Sequence, residues 1–304
     1  MTFTAIIAGA RSVRQGTGPF LAAAMANAGA RVAGVVGTSE QSARAAQDTL
    51  KKDWNLLVNP YDSITAAVSQ ENADLVVVCT PWQFHKEHLL EVAAAGCHCL
   101  AEKPLLWPAS EPEVNELVSA FQQRGLLLQM VAQWPFSLHE FGQLHGPLSS
   151  SIDNFTMRLS PISIGPHMIP DAAPHFISLL QALVGTGDCE EVTFLSKNPD
   201  ELTLKCRYHH PGGSVKACLE LKTVIARPRP AWIEINGLRA ERSVELPEYR
   251  QFLTANGRQV ELSDPMQAVA ENFLTNLGAK KPTDGALLNA GHRNLLQLAQ
   301  AWPA

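Results

Sequence analysis

Three stretches of the chain set reactive side chains at spacings that chemistry can use. Residues 97–108 read CHCLAEKPLLWP, so Glu102, Lys103 and Pro104 follow directly on a short apolar run. A Glu-Lys pair and a helix-breaking proline at the end of a buried strand have two explanations. One is a solvated strand end, with Lys103 paired to Glu102. The other is a lysine held at the mouth of a nucleotide-binding sheet. Residues 171–178 read DAAPHFIS, with Asp171 and His175 four apart and therefore on one face of a helix. Imidazole titrates near neutrality, which suits proton transfer, although a lone histidine by an apolar helix is more often a core residue. Residues 5–24, AIIAGARSVRQGTGPFLAAA, form a glycine-bearing turn between a β-branched apolar run and a helical pattern.

Such a turn brings main-chain amides close to a pyrophosphate at a helix N-terminus. Gly9 occupies the first glycine position of a G-x-G-x-x-G turn. Ala10 and Arg11 stand where the second glycine is expected, and Gly16 and Gly18 come late, so the turn is long. Arg11 or Arg14 would add positive charge for phosphates. Alone, the stretch also fits an ordinary βα loop. The second apolar run ends in Gly37, Thr38 and Ser39, with Arg44 in the next helix. An NAD site commonly has an Asp or Glu there for the ribose 2′-hydroxyl. Small hydroxyl residues and an arginine suit a 2′-phosphate instead, so NADP is the preferred cofactor and NAD the other choice; Ser39 also reads as a helix N-cap.

These groups need elements to hold them. Apolar runs at 4–10, 31–38, 73–81, 98–104 and 126–133 alternate with helical patterns at 19–29, 39–54, 84–96 and 111–125. That alternation predicts βαβ units and a parallel sheet covered on both faces. After about residue 148 the pattern changes to an alternating strand (151–160), a helix (174–185), a series of strand-like runs separated by turns such as HPGG and ANG, and two helices at the end. The expected fold is α/β: an N-terminal nucleotide-type domain, 1–125, followed by an α+β domain, 126–304, on an antiparallel or mixed sheet, with the C-terminal helices free to pack back on the first domain.

Residues 74–105, DLVVVCTPWQFHKEHLLEVAAAGCHCLAEKPL, carry a more specific pattern. A strand ends in Thr80-Pro81, His85 follows four residues after the proline, and Gly96-Cys97-His98 leads to Glu102-Lys103-Pro104. This string resembles the core signature of the glucose–fructose oxidoreductase / inositol dehydrogenase (Gfo/Idh/MocA) family, and the domain order fits the whole chain; the resemblance implies a Rossmann domain followed by an α+β domain on an open, mostly antiparallel sheet. The resemblance implies hydride transfer between a nicotinamide and a small polyhydroxylated substrate, a sugar or cyclitol. It implies that Thr80, Pro81, His85 and Glu102 line the cofactor site. Lys103 would contact the reacting oxygen and the nicotinamide region, where an ammonium stabilises developing negative charge. DAAPHFIS resembles the family's Asp-x-Gly-x-His-x-x-Asp element, which makes His175 the general base and Asp171 a substrate contact. Two departures stand out: Pro174 replaces a flexible position, and Ser178 replaces an acid. Gln133, Trp134 and Phe136 come where family members line the cleft between domains; an aromatic wall there suits stacking on a sugar ring or other flat ligand and suits plain packing between the domains equally well, and His167 lies in a Pro/Gly-rich stretch, 160–171, that reads as a loop over the same cleft. The departures keep open an imine, enone or tetrapyrrole reductase on the same fold, and a cofactor-binding sensor or scaffold without turnover.

The rest of the composition bounds the partners. The 304 residues carry a net charge of −5, which gives no reason to expect nucleic acid or an anionic membrane as partner. No apolar run approaches the roughly 20 residues of a membrane span, and the N-terminus lacks a basic leader. The six cysteines show no C-x-x-C spacing, so no metal site is expected and they read as reduced core thiols of a cytoplasmic protein. A homodimer or tetramer follows from the resemblance alone.

Overall fold

The computed structural model describes residues 2–10, 16–246 and 250–302. Its first sheet takes β1 (Thr4–Ala8), β2 (Arg31–Val36), β3 (Asn59–Tyr61), β4 (Leu75–Val78), β5 (His98–Ala101) and β6 (Leu128–Met130). All the pairings are parallel, in the order β3-β2-β1-β4-β5-β6. A strand covered on both faces has no polar side to show, and β4, Leu-Val-Val-Val, is buried along its whole length. The crossovers are α1 (Gly18–Asn27), α2 (Glu40–Trp54), α3 (Ile64–Glu71), α4 (His85–Ala94) and α5 (Glu111–Gln122). β3 and α3 have no counterpart in the sequence expectation; three residues around Pro60 and a two-turn helix are too short for a periodic signal.

The sequence division after residue 125 falls one strand early. β6 pairs with β5 in the first sheet, and the compact units are Met1–Val131 with Met266–Leu288, and Ala132–Pro265 with Asn289–Ala304. The returning segment covers the β6 edge. Thr283 Oγ1 accepts a hydrogen bond from the Leu128 amide and donates one to the Leu126 carbonyl, both 2.7 Å. It stands in for the missing neighbouring strand, which is how an exposed edge is kept from pairing elsewhere.

The second sheet contains β7 (Asn154–Leu159), β8 (Asp188–Asn198), β9 (Glu201–His210), β10 (Gly213–Lys222), β11 (Ala231–Ile235), β12 (Leu238–Glu245), β13 (Arg250–Ala255) and β14 (Arg258–Glu261). Its order is β14-β13-β12-β11-β7-β10-β9-β8, antiparallel except for β7 with β10. Burial alternates along β9 and β10, as expected when one face is packed and the other is not. The packed face meets α6 (Leu138–His145) and α7 (Met168–Val184), with the Phe176 ring stacked 5.3 Å from Phe155. α7 begins six residues before the predicted helix, despite Pro170 and Pro174. Pro170 lies in the first turn, where an amide has no helical partner to lose. The remaining helices are α8 (Pro265–Gly278) and α9 (Gly285–Gln300).

Candidate functional site

In an open parallel sheet of this order, ligands bind beyond the carboxyl ends of the strands, where the order reverses between β1 and β4. The turn after β1 shows why glycine is needed there. Gly9 has φ +89°, and a Cβ on it would lie 2.8 Å from the Cys79 and Thr80 main chain. A Cβ on Gly18 would lie 2.4 Å from the Gly9 carbonyl oxygen. These two glycines therefore clamp the start of α1 onto the end of β1, the close approach a pyrophosphate turn requires. Ala10 is buried and Gly16 half-buried; Arg11 and Arg14 lie outside the described residues. The first turn of α1 has no acidic residue and no side-chain cap, which suits an anion. The Cys79 thiol beneath the turn is held well above its ordinary pKa by burial, then by the Glu102 charge, while a Thr17 hydrogen bond acts the other way. A raised pKa favours the thiol over the nucleophilic thiolate.

After β2, a Cβ on Gly37 would come within 2.2 Å of Ser42 Oγ. Ser39 is the N-cap of α2: its hydroxyl accepts from the Ser42 amide at 3.2 Å, and Ser42 Oγ accepts from the Ser39 amide. Thr38 Oγ1 lies 3.5 Å from Ser42 Oγ. Arg44 donates to Glu40 at 2.6 Å, one helical turn away and with both side chains exposed. The sequence argument for a 2′-phosphate passed over Glu40, although the i, i+4 spacing was there to be seen.

The exits of β4 and β5 are tied together. His85 is fully buried. Its Nε2 lies 2.8 Å from the Thr80 carbonyl, and its Nδ1 lies 3.0 and 3.1 Å from the Pro104 and Leu105 carbonyls. The ring therefore reaches no surface, and main-chain carbonyls face both of its nitrogens, so the contact with a cofactor expected from the resemblance is not one this side chain presents here. Thr80 Oγ1 bonds His88 Nδ1 at 3.0 Å, and Pro81 is exposed. Glu102 is buried, and its carboxylate accepts from the Lys103 amide at 2.9 Å. Lys103 is half-buried as it leaves the sheet. His98, also in the signature string, accepts from the Leu127 amide at 2.8 Å and supports β6.

In the second unit, Asp171 and His175 both lie on α7, as their spacing predicted. Asp171 Oδ2 accepts from Ser163 Oγ at 2.5 Å, and the Ser163 carbonyl accepts from Thr223 Oγ1 at 2.8 Å. Ser163 went unnoticed because nothing local marks it. Ser178 Oγ donates to the His175 main-chain carbonyl at 3.0 Å, so its hydroxyl is spent on the helix. His175 is half-buried, Gln133 and Phe136 likewise, and His167 is exposed at the end of a short 3-10 turn, Gly165–His167. Trp134 is only 4% exposed and lies under the Arg242 guanidinium, 5.4 Å from the ring centroid. Of the two roles open to the ring, burial beneath Arg242 is the packing one, and little of it faces solvent. Among the described residues no three His, Cys, Asp or Glu side chains converge as a metal site.

Comparison with known proteins agrees with the parallel-sheet edge. A family model described as "Oxidoreductase family, NAD-binding Rossmann fold" (GFO_IDH_MocA) matches residues 4–132. The match spans the parallel-sheet domain. D-glucoside 3-dehydrogenase of Escherichia coli (strain K12) is 38% identical over 69 residues, a segment that makes up 22% of this chain and 19% of that relative's length. UDP-N-acetylglucosamine 3-dehydrogenase from Acidithiobacillus ferrooxidans aligns with a TM-score of 0.71 at 20% identity, over 99% of this chain and 98% of its own. Scyllo-inositol dehydrogenase from Lactobacillus casei, solved with NAD(H) and scyllo-inositol, aligns with a TM-score of 0.73 at 13% identity, over 99% and 97%. At these identities the likeness of the two structures is one of fold, and it extends to the second, mostly antiparallel sheet. The N-terminal domain is thus an NAD-binding Rossmann fold of an oxidoreductase family. No helix among the described residues is long and apolar enough to cross a membrane.

Proposed function

We propose that the protein is a nicotinamide-dependent dehydrogenase acting on a small polyhydroxylated substrate, a sugar or cyclitol. The observation that carries this reading is Lys103, half-buried at the carboxyl end of β5, with its following carbonyls joined through His85 to Thr80 under the Gly9 turn. The turn residues fit a dinucleotide: a Cβ at Gly9 or Gly18 would fill the close approach the pyrophosphate turn depends on. The nicotinamide, when bound, accepts the hydride in oxidation and supplies it in reduction. Gly9, Ala10, Gly16 and Gly18 would hold the phosphates, with Thr80, Pro81 and Lys103 on the nicotinamide side. Lys103 would stabilise charge on the substrate oxygen as the C–H bond breaks. His175 would take the hydroxyl proton, and Asp171, set by Ser163, would hold a neighbouring hydroxyl.

NADP(H) is the cofactor we propose, because no carboxylate stands at Gly37, Thr38 or Ser39. Arg44 would turn from Glu40 to the 2′-phosphate; an exposed pair of this kind is worth only about 0.3–0.5 kcal/mol. One observation favours a second reading, a reductase of imine or enone type: Ser178 is committed to the helix and brings no charge to His175. Such a reaction needs a proton donor and no sugar-type base. The six free cysteines support a reducing, cytoplasmic setting.

The test is a titration with NADPH and NADH, followed by a screen of sugars, cyclitols, imines and enones. Lys103→Met is expected to lower kcat/KM by about 10²–10³ with cofactor affinity little changed. Full activity in Lys103→Met sinks the reading; reduction of imines or enones with no sugar oxidation selects the second one.

A further inference from the structure

We infer that His85 is a positioning residue that sets Lys103 against the cofactor turn; the inference rests on the reading of Lys103 given above. A chain of short main-chain contacts runs through one unit of the molecule. The Gly9 turn sits on the Cys79 and Thr80 main chain, close enough that only glycine fits. The Thr80 carbonyl faces His85 Nε2 at 2.8 Å. On the other side of the ring, Nδ1 faces the Pro104 and Leu105 carbonyls at 3.0 and 3.1 Å, and these are the two residues immediately after Lys103. Thr80 is held a second time through its side chain by His88. One imidazole thus fixes the segment that carries Lys103 to the residue that supports the phosphate-binding turn.

The chemistry of the contacts explains why a histidine is there. The segment 102–108 has no regular secondary structure, so its carbonyls have no ladder or helix to bond. The Pro104 and Leu105 carbonyls are in buried contacts, and an unmet buried carbonyl is costly. Carbonyl oxygens only accept, so a ring N–H must supply the bond. A neutral ring donates to one side, and a ring carrying both protons donates to both. A flat ring with nitrogens on opposite edges reaches two loops, one 19 and 20 residues along the chain from the histidine and the other five residues from it. Leucine would fill the space and bond neither. Glutamine would reach one loop.

Because Lys103 must meet a reacting oxygen to within a fraction of an ångström, loosening its segment costs turnover more than affinity; a 1 Å misplacement can cost about 100-fold. His85→Gln is therefore expected to bind NADPH or NADH at full stoichiometry, with Kd changed less than about threefold, while kcat falls about 10- to 100-fold. The deciding experiment is a double-mutant cycle of His85→Gln with Lys103→Met. If His85 acts through Lys103, the second substitution adds no further loss in kcat. Losses that multiply, at full cofactor stoichiometry, overturn the inference while leaving Lys103 as the polarising group. A Lys103→Met enzyme of normal activity overturns the reading of Lys103 and this inference with it. Hydrogen exchange gives a readout independent of activity: His85→Gln should raise exchange across residues 102–110 and leave β1 unchanged. Unchanged exchange at 102–110 also overturns the inference. Where His85→Gln does not fold, His85→Asn, shorter but still an amide donor, carries the same cycle.

Discussion

At the carboxyl edge of the parallel sheet the candidate residues are set by main-chain contacts, whereas around α7 they are set by side chains. Gly9, Gly18 and Gly37 exist because backbone or a capping serine comes too close for any Cβ, and His85 holds three carbonyls. Asp171 accepts from the hydroxyl of Ser163, itself placed by Thr223 sixty residues on. The difference teaches where each half tolerates change. A site made by backbone approach fails when a methyl group is added. A site made by side-chain contacts shifts by one hydrogen bond at a time, and so is the half in which substrate preference can drift.

The strongest way to break this comparison is Gly18→Ala. The added Cβ meets the Gly9 carbonyl oxygen at 2.4 Å, and main chain cannot yield as a side-chain tip can. Overpacking of this kind is expected to cost about 2–3 kcal/mol and to abolish cofactor binding, read by denaturant unfolding and nicotinamide fluorescence. Gly142→Ala, on α6 with nothing within 4 Å, is the matching control. It should be stabilising by about 0.5–1 kcal/mol. Equal effects at the two glycines would remove the distinction.

Ser163→Ala tests the other half. Losing one hydrogen bond to a carboxylate should lower kcat/KM about tenfold through KM, the equivalent of 1.4 kcal/mol, with cofactor Kd unchanged. An unchanged KM would show that Asp171 does not meet substrate.

The smallest effect is a pH dependence. Burial holds the His98 pKa below its ordinary 6.5, with the Asp74 charge acting the other way. Its Nδ1 must be unprotonated to accept from Leu127. The folded state therefore takes up this proton less readily than the unfolded chain. Its contribution is fully present above about pH 6.5 and is lost as pH falls toward the lower folded value. His98→Gln keeps an acceptor that does not titrate. Denaturant midpoints at about pH 7 and about pH 5 should lie closer together in that variant than in the parent, and an identical gap would rule out His98 as a source of acid sensitivity.

Much of the first unit was legible before any coordinates. β1, β2, β4 and β5 are apolar runs bounded by helical periods, and Thr80-Pro81, His85 and Glu102-Lys103-Pro104 fall within thirty residues of one another, so their geometry follows from local rules. Even there, β3 and α3 were too short to announce themselves, and a string of letters does not show that His85 points into the core. The second unit was legible as a class, alternating strands under helices, but not in its contacts. Trp134 reads the same in a cleft wall or beneath Arg242, 108 positions later.

The sequence by itself determined the parallel sheet, an antiparallel or mixed second sheet, the glycine turn and the spacing of Asp171 and His175. It could do so because hydrophobic period, glycine conformation and helix pitch act over a few residues. Only the tertiary structure decided that β6 and Thr283 complete the first sheet, that Ser163 meets Asp171, that Trp134 is packed away, and that His85 serves Thr80, Pro104 and Leu105 at once. Those contacts, with the bond from Thr283 to Leu126, join residues separated by up to 157 positions. Burial and the bonding of each polar atom are settled by what the folded chain brings alongside, and no local pattern specifies that.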